Sequence, residues 1–200
     1  KLMGLAPYGE PHWVDTLLEE VVSLHEDGSF RLNLEYLDPL AEDHLTNARF
    51  HDRFGGPPRR PDEPLEKRHL DLARSIQAVT ERALLGLVRR AHEQTGSAHL
   101  CLAGGVALNC VANGRILREG PFREVWIQPA AGDAGAALGA ALAAWHGSLE
   151  RGGLSAPRTP APSDAMAGGF LGPEESPEAV EASLKSLGAV WERMTPEVLR

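Results

Sequence analysis

The stretch "CLAGGVALNCVANG", residues 101–114, decides the reading of this chain. The apolar run "AHLCLAG" reaches Gly104 and Gly105 and leads into a segment of helical character that carries Asn109 and Asn113. A short apolar run closed by glycine reads as a strand. Two adjacent glycines contribute nothing to a core. Lacking Cβ, they let backbone N–H groups approach a phosphate, and they tolerate positive φ. A strand end, a Gly-Gly turn and a helix start bring free N–H donors and the positive end of a helix dipole to one point. Gly104 and Gly105 therefore suit a nucleotide or phosphoryl group, with close helix–strand packing as an equal alternative. Asn109 and Asn113 are four apart and share one helix face. A neutral amide offers both donor and acceptor, suited to a ribose, a phosphate oxygen or a carbamoyl group.

Working outward, "REVWIQP" is a second β-type run, closed by Pro129, and "VALNCVANGRILREG" between the two runs forms a helix that ends at Gly120. After the second strand comes a small-residue helix, "AAGDAGAALGAALAAWHG". Upstream, a long helix starts near Leu65. Ala73, Ile76, Ala83, Leu84, Leu87, Val88 and Ala91 lie on one face of it, and Gly96 stops it. Helix, strand, helix, strand, helix is the order of an α/β layer with a largely parallel sheet. The expected strands lie near 98–103 and 124–128, and the expected helices near 66–95, 106–118 and 133–146.

Nearer the start, "KLMGLAPYGEP" is a Gly/Pro loop and "WVDTLLEEVVSLHEDG" is helical in its first half. Phe30, Leu32, Leu34 and Tyr36 alternate as a strand after an Asp-Gly turn, and "FGGPPRRPDEP" is a second loop. Residues 148–168 contain Pro157, Pro160 and Pro162 and few apolar side chains, the composition of a linker. Beyond it, Ser176 with Pro177 and Glu178 opens a helix, and "AVWERM" reads as a strand. The expected domains are residues 1–147, the linker 148–168, and the start of a second domain at 169–200.

Asp133 sits between glycines, past a strand end and at a helix start. Ligands of α/β sheets gather at that edge. The carboxylate is either an N-cap or a hard oxygen ligand for a cation. Gly135 and Gly139, on the same helix, are expected to allow close packing.

Composition bounds the class. The chain has 200 residues, 42% apolar and 24% charged, with a formal net charge of −8. That charge argues against a nucleic-acid surface. No run approaches the roughly 18 apolar residues of a membrane span, and none reads as a signal peptide. The two cysteines, Cys101 and Cys110, fit neither a zinc spacing nor a disulfide framework. They are expected to be core thiols in a reducing, cytoplasmic compartment. The small-residue helices are compatible with a homodimer seam. The chain opens on Lys1 and stops in "TPEVLR", so both ends read as cut.

Three stretches taken together carry a resemblance: "KLMGLAPYG", "LDLARSIQAVTERALLGLV" running on to "LCLAGGVALNCVANGRI", and "WIQPAAGDAGAALGAAL". They resemble the O-carbamoyltransferases of the nodulation-factor and antibiotic-tailoring type, over residues 1 to about 147. "GPEESPEAVEASL" resembles the start of that family's C-terminal, YrdC-like α+β domain. The middle part is also similar to the tRNA threonylcarbamoyladenosine enzymes. Both groups belong to the actin-like ATPase superfamily, so the resemblance implies part of an actin-like lobe. It implies a reaction in two stages: carbamoyl-adenylate is made from ATP and carbamoyl phosphate, and the carbamoyl group then passes to a substrate hydroxyl with the help of a divalent metal, iron. The acceptor it implies is a small molecule, a sugar or a natural product.

Carried onto this chain, the resemblance places Gly104, Gly105 and Asn109 at the adenylate and Asp133 at the metal. Lys1 meets either a phosphate or solvent. The family's paired histidine ligands, spaced i, i+4, have no counterpart among the eight histidines here, since no two are four apart. Those histidines are read as surface or packing residues, and the 200 residues alone as inactive. The rival readings are a kinase-type enzyme of the same superfamily, the tRNA-modifying branch, and a nucleotide-binding scaffold without chemistry.

Overall fold

A computed structural model describes residues 2–41, 44–152, 169 and 172–194. The chain divides into two compact units, residues 1–156 and 157–200. The first opens with α1 (Leu2–Leu5), a 3₁₀ turn (Ala6–Tyr8), and α2 (Val14–Thr16) prolonged by a π turn (Leu17–Val21). An antiparallel hairpin follows, β1 (Val22–Leu24) with β2 (Phe30–Leu32), and then α3 (Ala48–Arg53). The long α4 (Lys67–Thr95) ends at Gly96, whose left-handed backbone (φ 63°) is the expected stop signal. Beyond it come β3 (His99–Leu102), a 3₁₀ turn (Gly105–Leu108), α5 (Cys110–Glu119), β4 (Glu124–Ile127) and α6 (Asp133–Arg151). β3 and β4 pair in parallel with Cys101 opposite Trp126, so the α/β order read from the sequence is observed.

Helix α4 lies along two cores. Toward its N-terminal half, Val79 packs with Leu17, Val21, Tyr36, Phe50 and Phe54. Toward its C-terminal half, Leu85 and Val88 pack with Ile116 of α5, Phe122, and the inward residues Leu100, Leu102 and Val125 of the sheet. Having neighbours on several sides, α4 does not bury the single stripe expected of it. Ala73 and Val88 are buried, but Leu87 is exposed, and the polar residues Asp71, Ser75, Gln77 and Glu81 are buried instead. Asp71 and Ser75 hold the N-terminal loop. Asp71 Oδ1 accepts the Glu10 N–H at 2.8 Å, and Ser75 Oγ accepts the Trp13 N–H at 3.0 Å.

Further expectations are corrected. The strand expected from Phe30 to Tyr36 stops at Leu32, because the Asn33 side chain accepts the Glu35 N–H and turns the chain. Tyr36 reaches the core from that turn. Cys101 and Cys110 are exposed, not core thiols. Cys101 alternates with the inward Leu100 and Leu102, and Cys110 opens α5. In the second unit, α7 (Pro177–Ser186) is capped by Ser176, whose Oγ accepts the Ala179 N–H at 3.2 Å, as read. "AVWERM", residues 189–194, forms no strand: Ala189 N–H bonds back to Leu184 after the left-handed Gly188, and no strand partner lies among the described residues. The start expected as a loop holds α1 and a 3₁₀ turn, with Pro7 inside the turn, and α6 runs on to Arg151 past its expected end at 146. A correction at Gly139 belongs to the site below. Among the described residues no helix is long and apolar enough to cross a membrane.

Candidate functional site

Because β3 and β4 run parallel, both C-terminal ends emerge at one edge of the pair. The loops beyond them are tied together. Gln128 N–H donates to Leu102 C=O at 3.1 Å, and Gly104 N–H donates to Ala131 C=O at 2.8 Å. This brings Gly104 and Gly105 beside the start of α6 at Asp133. The cleft between them has a volume of about 390 Å³. Gly104, Gly105, Gln128, Gly132 and Asp133 line it, and Trp126, Leu138 and Leu142 supply an apolar wall.

Gly104 has φ 94° and ψ 160°, a backbone region essentially reserved for glycine. A Cβ at Gly104 or Gly105 would meet nothing within 4 Å, so tight packing explains neither residue. The space over this turn is open. The expected helix does not begin at the glycines: a 3₁₀ turn intervenes, and Asn109 caps α5 one turn later. The opposite holds at Gly135, where a Cβ would lie 1.9 Å from Ala130 C=O, as close packing requires. Gly139 is the correction: a Cβ there would meet nothing, so close packing does not account for it.

Asp133 is exposed in the first turn of α6, and its carboxylate makes no hydrogen bond or ion pair among the described residues. It does not act as a cap in this arrangement, since capping requires it to accept a backbone N–H. Asn109 is not part of the cleft wall. Its Oδ1 accepts Ala112 N–H at 3.1 Å and Gln77 Nε2 at 3.2 Å, while its Nδ2 donates to Gln77 Oε1 at 2.9 Å. Asn113 turns its Nδ2 to Ala107 C=O at 2.7 Å, bracing the same 3₁₀ turn. Lys1 lies outside the described residues, as does most of the expected linker.

Residues 1–142 match the family model described as the carbamoyltransferase N-terminus. The chain belongs to the carbamoyltransferase family. It is 51% identical to the uncharacterized protein sll1178 of Synechocystis sp. over its whole length, covering 32% of that protein. It is 39% identical to nodulation protein NolO of Bradyrhizobium diazoefficiens over 89% of the chain and 30% of the relative. With nodulation protein NolNO of Sinorhizobium fredii it shares 42% over 71% of the chain and 19% of the relative. The chain thus spans about a third or less of these curated relatives.

Among the described residues of this carbamoyltransferase-family chain, no three His, Cys, Asp or Glu side chains gather to hold a metal. Asp133 alone faces the cleft as a hard oxygen donor, so the described residues do not make a metal site by themselves. The half-buried histidines serve packing and capping. His92 sits edge-on to Phe122, and His69 Nδ1 accepts the Glu66 N–H at 2.9 Å at the start of α4. Burial pushes the His69 pKa down.

Sequence reasoning missed the polar row behind the glycine turn. Gln77 Nε2 donates to Glu81 Oε1 at 2.8 Å, and Arg115 Nη1 donates to Glu81 Oε2 at 2.9 Å. Arg115 also grips Glu119, which is held below the usual carboxylate range by that contact, while Glu119 and Glu81 raise the arginine's own pKa. The spacing of Gln77 and Glu81 puts them on one face of α4, but in a helix this rich in charged residues nothing local marks that face as buried.

Proposed function

We propose that this chain is the adenylate-holding part of an ATP-dependent O-carbamoyltransferase, built as part of an actin-like lobe, with a YrdC-like domain beginning near residue 169. The observation that carries this reading is the open cleft where the Gly104–Gly105 turn and the Asp133 loop meet at one sheet edge, in a chain of this family. Water would cleave carbamoyl phosphate to carbamate and phosphate, and a carbamate oxygen would attack the α-phosphorus of ATP, releasing pyrophosphate and leaving carbamoyl-adenylate. An acceptor hydroxyl oxygen attacks the carbamoyl carbon, the bond from that carbon to the adenylate phosphate oxygen breaks, AMP leaves, and the hydroxyl proton passes to a base. The backbone around Gly104 and Gly105 approaches the phosphoryl group without a side chain in the way. In this reading Asn109, outside the cleft wall, holds the turn that receives the adenylate and does not touch it. Asp133 would hold a divalent metal, iron by family resemblance, through one carboxylate oxygen, with the other ligands supplied from outside the described residues. Such a metal, when bound, polarises the carbamoyl or phosphoryl oxygen. The similarity to nodulation proteins favours a sugar or natural-product hydroxyl as acceptor over a tRNA.

Gly105→Val tests the reading. A branched side chain there fills the space over the turn. In the intact protein, calorimetry with ATP should show affinity falling at least about tenfold, or ~1.4 kcal/mol. Unchanged affinity in a folded variant rejects the site.

A further inference from the structure

On α4, Gln77 and Glu81 form a polar row in a place where apolar side chains would pack as well. Gln77 is 2% exposed and Glu81 5%. Burying an amide and a carboxylate costs free energy unless every polar atom is paired, and a buried ion pair such as Glu81–Arg115 is weak evidence for stability. A satisfied buried network does impose one geometry on what it touches. Here one branch of the network runs from Glu81 through Gln77 to Asn109, at the end of the glycine turn.

The order of dependence can be read from donor and acceptor chemistry. Glu81 is acceptor-only when ionised, and Arg115 is donor-only. Arg115 takes Glu81 Oε2 at 2.9 Å, leaving Oε1 for Gln77 Nε2 at 2.8 Å. Glu81 therefore fixes which end of the Gln77 amide is nitrogen. That end also reaches Asn109 Oδ1 at 3.2 Å, while Gln77 Oε1 takes Asn109 Nδ2 at 2.9 Å. The reciprocal amide pair locks Asn109, which closes the Gly105–Leu108 turn and caps α5 through Ala112 N–H. A flipped or missing Gln77 amide would remove the only tie from α4 to the Asn109 side chain among the described residues, leaving that amide its bond to Ala112 N–H.

We infer that Gln77, with its polarity set by Glu81, is a positioning residue that holds the Gly104–Gly105 turn in its nucleotide-receiving shape through Asn109. The inference rests on the reading of this turn as the site that takes ATP or the adenylate. Gln77 touches neither the cleft nor a reacting atom, so its effect falls on binding and not on the chemical step.

The test is steady-state carbamoyl transfer by the intact protein, with ATP varied, for Gln77→Met. Methionine keeps the length and burial and removes every hydrogen bond. KM for ATP should rise about tenfold, with kcat at saturating ATP within about twofold of wild type. A merely structural role would lower kcat through loss of folded enzyme and leave KM unmoved; that result overturns the inference, as does an unchanged KM in the folded variant. If Gln77→Met fails to fold, Glu81→Gln decides by the same readout: it keeps the shape but no longer dictates the amide's orientation. KM for ATP should rise about threefold, and an unchanged KM overturns the inference. Gly105→Val, run alongside, separates the two ideas. If it leaves ATP affinity intact, the site reading itself is wrong. If it abolishes binding while the Gln77 and Glu81 variants do not, only the positioning role is lost.

Discussion

Asp71 shows how one carboxylate joins the N-terminal loop to the central helix. It is 6% exposed, and both its oxygens take Lys67 Nζ, at 2.8 and 2.7 Å, while Oδ1 also accepts the Glu10 N–H. The Lys67 contact, then the Glu10 amide, holds this carboxyl below its ordinary range. A carboxyl depressed in the folded state contributes stability that is complete above its unfolded pKa, about 3.9, and that fades as pH falls through the folded value. Asp71→Asn removes that contribution. The variant should be less stable than wild type at neutral pH, and the gap should narrow between about pH 5 and pH 2. Thermal unfolding followed across that range checks it. Parallel stability curves for the two proteins would show that the carboxylate charge contributes nothing to holding the loop.

At the scale of the element, α5 answers to two neighbours. Asn109 at its cap and Asn113 in its first turn bond the glycine turn, and Arg115 bonds Glu81 of α4, while Ile116, 1% exposed, packs among Leu85, Val88 and Phe122. Ile116→Ala should cost about 2–5 kcal/mol by transfer and cavity terms, read from urea unfolding. The folded fraction should keep its affinity for ATP, unlike the Gln77 variant. The boundaries of these elements were legible because each carries a local signal: Gly96 and Gly120 as helix stops, Pro129 after β4, the small-residue run opening α6. The meeting of Gly104–Gly105 with Asp133 was legible as well, since two parallel strands must end at the same edge. The burial of Gln77 and Glu81 was not, because it depends on α5 lying against α4, and a polar residue in a helix rich in charged residues carries no local mark of its partner. The early end of β2 was hidden for a related reason. The alternation of Phe30, Leu32, Leu34 and Tyr36 is real, but the Asn33 side chain competes with the ladder and turns the chain before the pattern is complete.

At the scale of the whole molecule, the question is what completes the cleft. The described residues bring one carboxylate to it and no second metal-binding group, in a chain that spans about a third or less of its curated relatives. If Asp133 is a ligand in the intact protein, its partners come from elsewhere, and the charge of this one side chain decides much of the affinity. Asp133→Asn isolates that charge. Asp133 accepts no backbone N–H, so a side chain that merely lines the cleft predicts metal content, folding and carbamoyl transfer near wild type after this change. A ligand role predicts a different pattern: α6 stays folded, since its start is held by Gly104 N–H to Ala131 and by Gly135 against Ala130, while bound metal and transfer activity fall together, because an amide oxygen is the weaker donor to a hard cation. Metal analysis of the purified intact protein, with circular dichroism as the control on folding, distinguishes the two. Retained metal in the folded variant would leave Asp133 as a cleft-lining carboxylate without a coordinating role.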